Sequence, residues 1–300
     1  MITSLPRMFA IGSLLGFLRQ PNLQNCTLAA ALAVVAVPAF AQAVSDRSCG
    51  DVVTIETHDR TTTRYAIALP KDGASTPRAA LLLMVGGGGD LKMDERSCAR
   101  ALDGNPLVRA MPDFLAAGLV TVLVDAPSDY PGEEGLAGFR TAQAHADDLG
   151  KIIAAVRART NGPVWIAGHS RGTISVANAA ARLKGSAAPD GLVLMSAMMV
   201  GGARAWVTQT VFDPPLEDVQ MPVLLLGHTD DRCVRSPASM MERITARTNG
   251  AREQVVRLNG GAEPVTAGGD ACGARSPHGF FRLDAEFAAG IARFMRGGNY

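Results

Sequence analysis

The chain has 300 residues, of which 47% are hydrophobic, and a formal net charge of +1. That is ample for one large core, and length alone allows one or two domains. The near-neutral balance gives no case for nucleic-acid binding, and no internal repeat, low-complexity tail or Ser/Pro-rich linker divides the chain.

Arg7 and Arg19 supply positive charge ahead of an apolar run from Leu28 to Phe40, whose 13 residues are too few for a comfortable membrane span. Ala39-Phe40-Ala41 fits the A-x-A cleavage pattern, with Gln42-Ala43 just beyond. Residues 1–43 therefore read as an export segment cleaved near 41–43, and residues 44–300 as one domain. This predicts a periplasmic or secreted protein with no stable membrane insertion after processing. The charged stretch is long, so a later physiological start or a membrane anchor are the alternatives. Processing would remove Cys26 and leave Cys49, Cys98, Cys233 and Cys272. An even count in an exported chain fits two disulfides, for which three pairings exist. No Cys-x-x-Cys or His-x-x-x-His spacing suggests a metal site, and no cofactor motif is present.

Val52–Thr57 and Arg64–Leu69 read as an antiparallel pair. Ala80–Val85 is a continuous apolar run, as expected of a buried parallel strand. It ends in Gly86-Gly87-Gly88-Gly89. Asn105-Pro106 reads as a helix cap and first turn, with Gly118 as the stop. Leu119–Val124 is the next strand, then a helix over about Thr141–Arg159. A strand at Val164–Ala167, a helix from Thr173 to Leu183, and strands at Gly191–Ser196, Pro222–Leu226 and Gln254–Leu258 follow. A last helix covers about Asp284–Met295. Eight strands alternating with helices predict an α/β fold with a mostly parallel sheet flanked by helices. Only 25 residues lie between Ser196 and Pro222. They leave room for one short helix near Ala205–Val211 and a minimal lid. The Asp125–Phe139 loop and the Met198–Pro215 segment should narrow the site. Met198, Met199, Trp206 and Phe212 read either as an apolar pocket wall or as core.

Gly168-His169-Ser170-Arg171-Gly172 sits between a strand and a helix, the context in which G-x-S-x-G presents a nucleophile on a sharp turn. A serine hydroxyl needs a base to take its proton. His278, in Ser276-Pro277-His278-Gly279-Phe280, follows the last strand and is the candidate. Asp231 is the preferred acid and Asp230 the alternative, both just beyond a strand end. Arg171 N–H and an amide of Gly87 or Gly88 are the candidate oxyanion donors. The Arg171 side chain is available to an anionic part of a substrate or to a nearby acid. His169 reads as structural, His228 as support for the acid loop, and His145 and His58 as non-chemical. If Asp231 touches His278, their loops run close together. That favours Cys233 with Cys272, and hence Cys49 with Cys98.

These motifs, together with Leu83 to Gly89 and Val124-Asp125-Ala126-Pro127-Ser128-Asp129, resemble the α/β-hydrolase superfamily over roughly Val52 to Arg296. Asp231-Arg232-Cys233, and Cys272 through Phe280, are similar to a group of exported bacterial serine hydrolases. Those enzymes carry one cysteine beside the acid and another before the histidine. The group often has glycine where this chain has Arg232. The resemblance implies esterase-type chemistry at Ser170, Asp231 and His278 on a small-molecule acyl substrate. A serine peptidase or amidase, with Glu133-Glu134 as an anchor for a charged terminus, and a noncatalytic binding module on the same scaffold are the alternatives.

Overall fold

The computed structural model describes residues 49–71, 78–203, 208–265 and 270–300. The expected export segment and Trp206 lie outside these residues. Among the described residues eight strands form one sheet in the order β1-β2-β4-β3-β5-β6-β7-β8. They are β1 (Asp51–Glu56), β2 (Thr62–Ala68), β3 (Ala80–Met84), β4 (Val120–Val124), β5 (Val164–His169), β6 (Gly191–Met195), β7 (Val223–His228) and β8 (Glu253–Leu258). The β1–β2 and β2–β4 pairs are antiparallel, and every other pair is parallel. No helix among the described residues is long and apolar enough to cross a membrane.

The central strands are apolar on both faces, so alternate residues feed two cores. Leu82, Val122, Ile166, Leu194 and Leu225 face helices α3 (Gln143–Thr160) and α4 (Gly172–Arg182). Leu81, Leu123, Trp165, Val193 and Leu224 join Phe114, Phe287 and Phe294 on the opposite face. Those phenylalanines come from α2 (Met111–Ala116) and α6 (Asp284–Met295). The helical stretch expected from Asn105-Pro106 to Gly118 is broken into α1 (Pro106–Arg109) and α2. Pro112 accounts for the break, because its ring would collide with the carbonyl four residues back in a continuous helix. A short α5 (Glu242–Thr245) between β7 and β8 has no counterpart in the sequence reading. Of the short helix expected at Ala205–Val211, the described residues 208–211 are not helical.

The chain leaves β3 for β4 on one side and adds β5 on the other. Their carboxyl ends therefore open a crevice at a topological switch point. There the turn from β5 into α4 is pressed against the end of β3. Ser170 holds φ +52°, left-handed backbone that a residue with a Cβ seldom adopts. A Cβ on Gly172 would lie 2.0 Å from the Met84 carbonyl oxygen, and one on Gly168 2.5 Å from the Gly172 carbonyl. Both glycines are thus demanded by contact.

Four histidines, His145, His169, His228 and His278, are buried in this frame, and burial shifts the pKa far down in the first two. Burial, aided by the charges of Arg140 and His58, holds the His145 pKa down at about 3. Neither of its ring nitrogens has a protein partner. Burial, then the neighbouring His278, does the same for His169, also to about 3. The unfolded chain protonates both near 6.5 while the folded chain does not. Stability therefore falls as pH falls through 6.5 and stops falling near 3, by ~1.4 kcal/mol per unit for each histidine. His58 works in the opposite sense. Burial pulls it down, but hydrogen bonds and charge from Asp148 and Asp129 raise it overall, so it adds stability that is lost as pH rises.

Replacing His145 by leucine should remove about 2 kcal/mol of the stability lost between pH 6.5 and 5, read from urea unfolding at each pH. Parallel pH curves for the two proteins would contradict a neutral buried His145. Gly172→Ala should destabilise by ~1–3 kcal/mol, whereas Gly104→Ala, whose Cβ meets only Ala274 Cβ at 3.4 Å, should be nearly neutral. Equal melting temperatures for the two variants would refute the close packing of the turn.

Candidate active site

Three loops at the carboxyl edge of the sheet carry Ser170, Asp231 and His278, and two of them bring Asp231 and His278 into contact. The Ser170 amide donates to the Met195 carbonyl at 3.0 Å, and the Ser170 carbonyl accepts from Thr173 Oγ1 at 2.6 Å. This fixes the backbone of the turn and leaves the serine half-buried. Asp231 follows β7, and its Oδ1 accepts from the Cys233 amide at 2.8 Å. Its Oδ2 lies 2.9 Å from His278 Nδ1, and both side chains are almost wholly buried. A carboxylate accepts, so Nδ1 carries the hydrogen and Nε2 keeps its lone pair. Nε2 is buried with no hydrogen-bond partner. Asp230, the alternative acid, is exposed, and among the described residues its carboxylate makes only a long contact with Thr229.

The backbone of His278 is held from several sides. Its carbonyl accepts from Ser196 Oγ at 2.9 Å and from His169 Nε2 at 3.0 Å. A carbonyl cannot donate, so His169 Nε2 carries its hydrogen and Nδ1 accepts from Asn105 Nδ2 at 3.1 Å. Asn105 Oδ1 caps the Leu107 amide, which settles the orientation of that amide group. A second proton on His169 would face Asn105 donor to donor. His169, expected to be structural, thus supports the loop that carries the other imidazole. Arg109 adds a clamp, donating to the carbonyls of Ala274 and Gly279 and to Asp284. His228 accepts from the Asp230 amide at 3.1 Å and lies 2.9 Å from the Gly260 carbonyl, so it does brace the acid loop. Cys233–Cys272 and Cys49–Cys98 are both bonded, and the first joins the acid loop to the histidine loop.

The glycine run after β3 lies against the serine turn. A Cβ on Gly86 would meet Ser170 Cβ at 3.0 Å. The Gly87 amide is the next along the chain, and Gly87 is half-exposed at φ +58°. Gly88 is buried under the carbonyls of Gly132 and Glu133. Of the two candidate glycines, Gly87 is therefore the more exposed. Asp125, at the end of β4, accepts from the amides of Leu91, Met93 and Ala126 and so anchors the segment beyond the glycines. Burial raises its pKa, and those three bonds oppose the rise.

The loop after Asp125 packs on the glycine run. The Leu136 amide donates to the Gly88 carbonyl at 2.8 Å, and the Gly132 amide to Asp90 at 2.6 Å. Tyr130 and Phe139 stack at 4.3 Å, and His58 bridges Asp129 and Asp148, tying the loop to α3. Burial lowers the Arg171 pKa, while the charges of Glu133 and Glu134 act on it in the opposite direction. Met198 and Met199 are buried, and Met199 joins the core with Phe212 packed against it. A groove of about 1010 Å³, lined by Ile67, Leu69, Val108, Met111 and Leu115 among others, contains none of Ser170, Asp231 or His278. Among the described residues no cluster of three or more His, Cys, Asp or Glu side chains is arranged to hold a metal ion.

One buried residue at the site left no sequence signal. Arg140 is 2% exposed and donates to Ser175 Oγ and to the carbonyls of Val85 and Gly87. Its position between a loop and a helix reads as surface, and only the tertiary closure of the 125–142 segment buries it.

No protein-family model and no curated protein matches the sequence. Solved structures do match the fold. A serine hydrolase without a lid from Xanthomonas campestris aligns with TM-score 0.52 at 16% identity, over 82% of this chain and 94% of that one. Est1E from Butyrivibrio proteoclasticus aligns with TM-score 0.53 at 13% identity, over 83% and 98%. A 2,6-dihydroxy-pseudo-oxynicotine hydrolase aligns with TM-score 0.55 at 13% identity, over 84% and 70%. At these identities the likeness is one of architecture, and this chain has the α/β-hydrolase fold.

Proposed function

We propose that this protein is a serine hydrolase that cleaves carboxylic esters of small molecules by two-step acyl transfer. The observation that carries the reading is the buried His278–Asp231 pair, with Nδ1 engaged and Nε2 unpartnered, at the sheet edge where Ser170 is held in a strained turn. In the proposed reaction Ser170 Oγ attacks the ester carbonyl as His278 Nε2 takes its proton. The carbonyl electron pair moves onto oxygen, which receives hydrogen bonds from the amides of Arg171 and Gly87. His278 then protonates the leaving alcohol. Water, activated by the same imidazole, releases the acid and restores the serine. Asp231 keeps the imidazole in the required tautomer and stabilises its cation.

The fold neighbours support hydrolytic chemistry of this kind, since they include a serine hydrolase and a 2,6-dihydroxy-pseudo-oxynicotine hydrolase. The small number of residues between β6 and β7 fits a compact substrate better than a buried lipid or a long polymer. Two disulfides fit an oxidising compartment, in keeping with residues 1–43 as an export segment and 44–300 as the catalytic domain. An amidase would use the same three residues. A binding module would need none of them in working order.

Chromogenic esters of graded acyl length, assayed beside matched amides, test the reaction class. Ester turnover that is lost in Ser170→Ala supports the proposal, and faster amide cleavage moves it to the peptidase class. Asp231→Asn should cut kcat by on the order of 10³–10⁴ with folding kept, while Asp230→Asn should change it little. The reverse ranking would reassign the acid. The Cys233→Ser/Cys272→Ser double variant should lose up to about 4 kcal/mol and should lose turnover at temperatures where the far-ultraviolet spectrum is still native. Coincident loss of activity and of secondary structure would show that this bond serves the whole fold and not the site.

A further inference from the structure

Arg140 is among the largest fully buried side chains, yet its three acceptors are all neutral. Its Nε has no protein partner. Burial and the like charge of Arg171 both push its pKa down, to about 9, with no opposing acid among the described residues. A desolvated cation without a counter-charge is unfavourable to bury. Its nearest ionisable neighbour in the chain, His145, is neutral and offers no compensation.

What Arg140 touches suggests why it is there. One amino group donates to both the Val85 carbonyl at 3.3 Å and the Gly87 carbonyl at 3.2 Å. The other donates to Ser175 Oγ at 2.7 Å, in the helix behind Ser170. The peptide planes on either side of the Gly86–Gly87 bond are thereby pinned to one guanidinium. That bond carries the Gly87 amide. Four successive glycines would otherwise be the most freely rotating stretch beside the serine. The same fork ties the loop to α4, so the two candidate oxyanion donors, Arg171 N–H and Gly87 N–H, are held in one frame.

We propose that Arg140 is a positioning residue for the oxyanion loop, and that its lone buried charge is complemented by the negative charge that forms on the substrate carbonyl oxygen. The inference rests on the serine-hydrolase reading above. It makes Arg140 act mainly on the transition state, because the ground-state ester carries no full charge to attract it.

The test compares wild type, Arg140→Met, Arg140→Lys and Ser175→Ala on a matched ester and thionoester, with active sites counted by end-point fluorophosphonate labelling. A thionoester places sulfur, a weak acceptor, where the oxyanion would form, so the ester-to-thionoester ratio reports the oxyanion site alone. That ratio does not depend on the fraction of folded enzyme. Arg140→Met should lower kcat on the ester by about 10²–10³ with KM within about threefold, and should collapse the ratio. Arg140→Lys should restore part of both, and Ser175→Ala should lower the ratio more mildly. A ratio unchanged across the variants would overturn the inference while leaving the hydrolase reading intact. Should neither Arg140 variant fold, the Ser175→Ala ratio decides in the same two directions. Wild-type enzyme that neither turns over esters nor labels at Ser170 would remove the hydrolase reading and this inference together.

Discussion

The close approach of the β5–α4 turn to the end of β3 is the contact on which the rest of the site depends. The Met84 carbonyl occupies the space that a side chain at position 172 would need. That contact puts Ser170 at φ +52° and brings Gly86 against its Cβ. A looser turn would carry the serine away from the glycine loop and from the histidine supplied more than 100 residues later. The strain of left-handed backbone at a residue with a Cβ is of order 1–3 kcal/mol, and the two apolar cores on either side of the sheet over-determine it.

Around this turn the protein spends buried polar groups on backbone control. His169 and Ser196 grip the carbonyl of His278, and Arg140 grips the carbonyls of Val85 and Gly87. In each case a side chain near the proposed site holds main chain in place and leaves the atoms of the proposed reaction uncommitted. Buried polar networks of this kind are costly when half-satisfied, and they specify one arrangement when complete. The neutral state of His169 belongs to the same logic, because Asn105 donates to one nitrogen and the His278 carbonyl accepts from the other.

Much of the frame was legible in the sequence, and the reasons are physical. Parallel strands buried on both faces must be apolar throughout, so Ala80–Met84, Val120–Val124 and Val223–His228 stand out as runs. All eight expected strands are present, with ends shifted by at most two residues. The elbow, the histidine loop and both disulfide pairings followed from spacing and from the requirement that acid and base meet. Proline-driven breaks between short helices were harder to see, as the division of α1 from α2 at Pro112 shows. Arg140 was invisible, because an arginine between a loop and a helix has no periodic signature and its burial depends on how the 125–142 segment closes over the glycine run. That Gly87 is the more exposed of the two candidate glycines likewise depends on the Gly132–Glu133 backbone, which covers Gly88.

The most direct measurement is a crystal structure of the protein after reaction with a phosphonate ester, whose tetrahedral phosphorus imitates the acyl-transfer intermediate. The account predicts a covalent bond to Ser170 Oγ, the phosphoryl oxygen within hydrogen-bond reach of the Arg171 and Gly87 amides, and His278 Nε2 beside the remaining ester oxygen. Phosphorus bonded elsewhere, or a phosphoryl oxygen turned toward solvent with His278 disengaged, would contradict it.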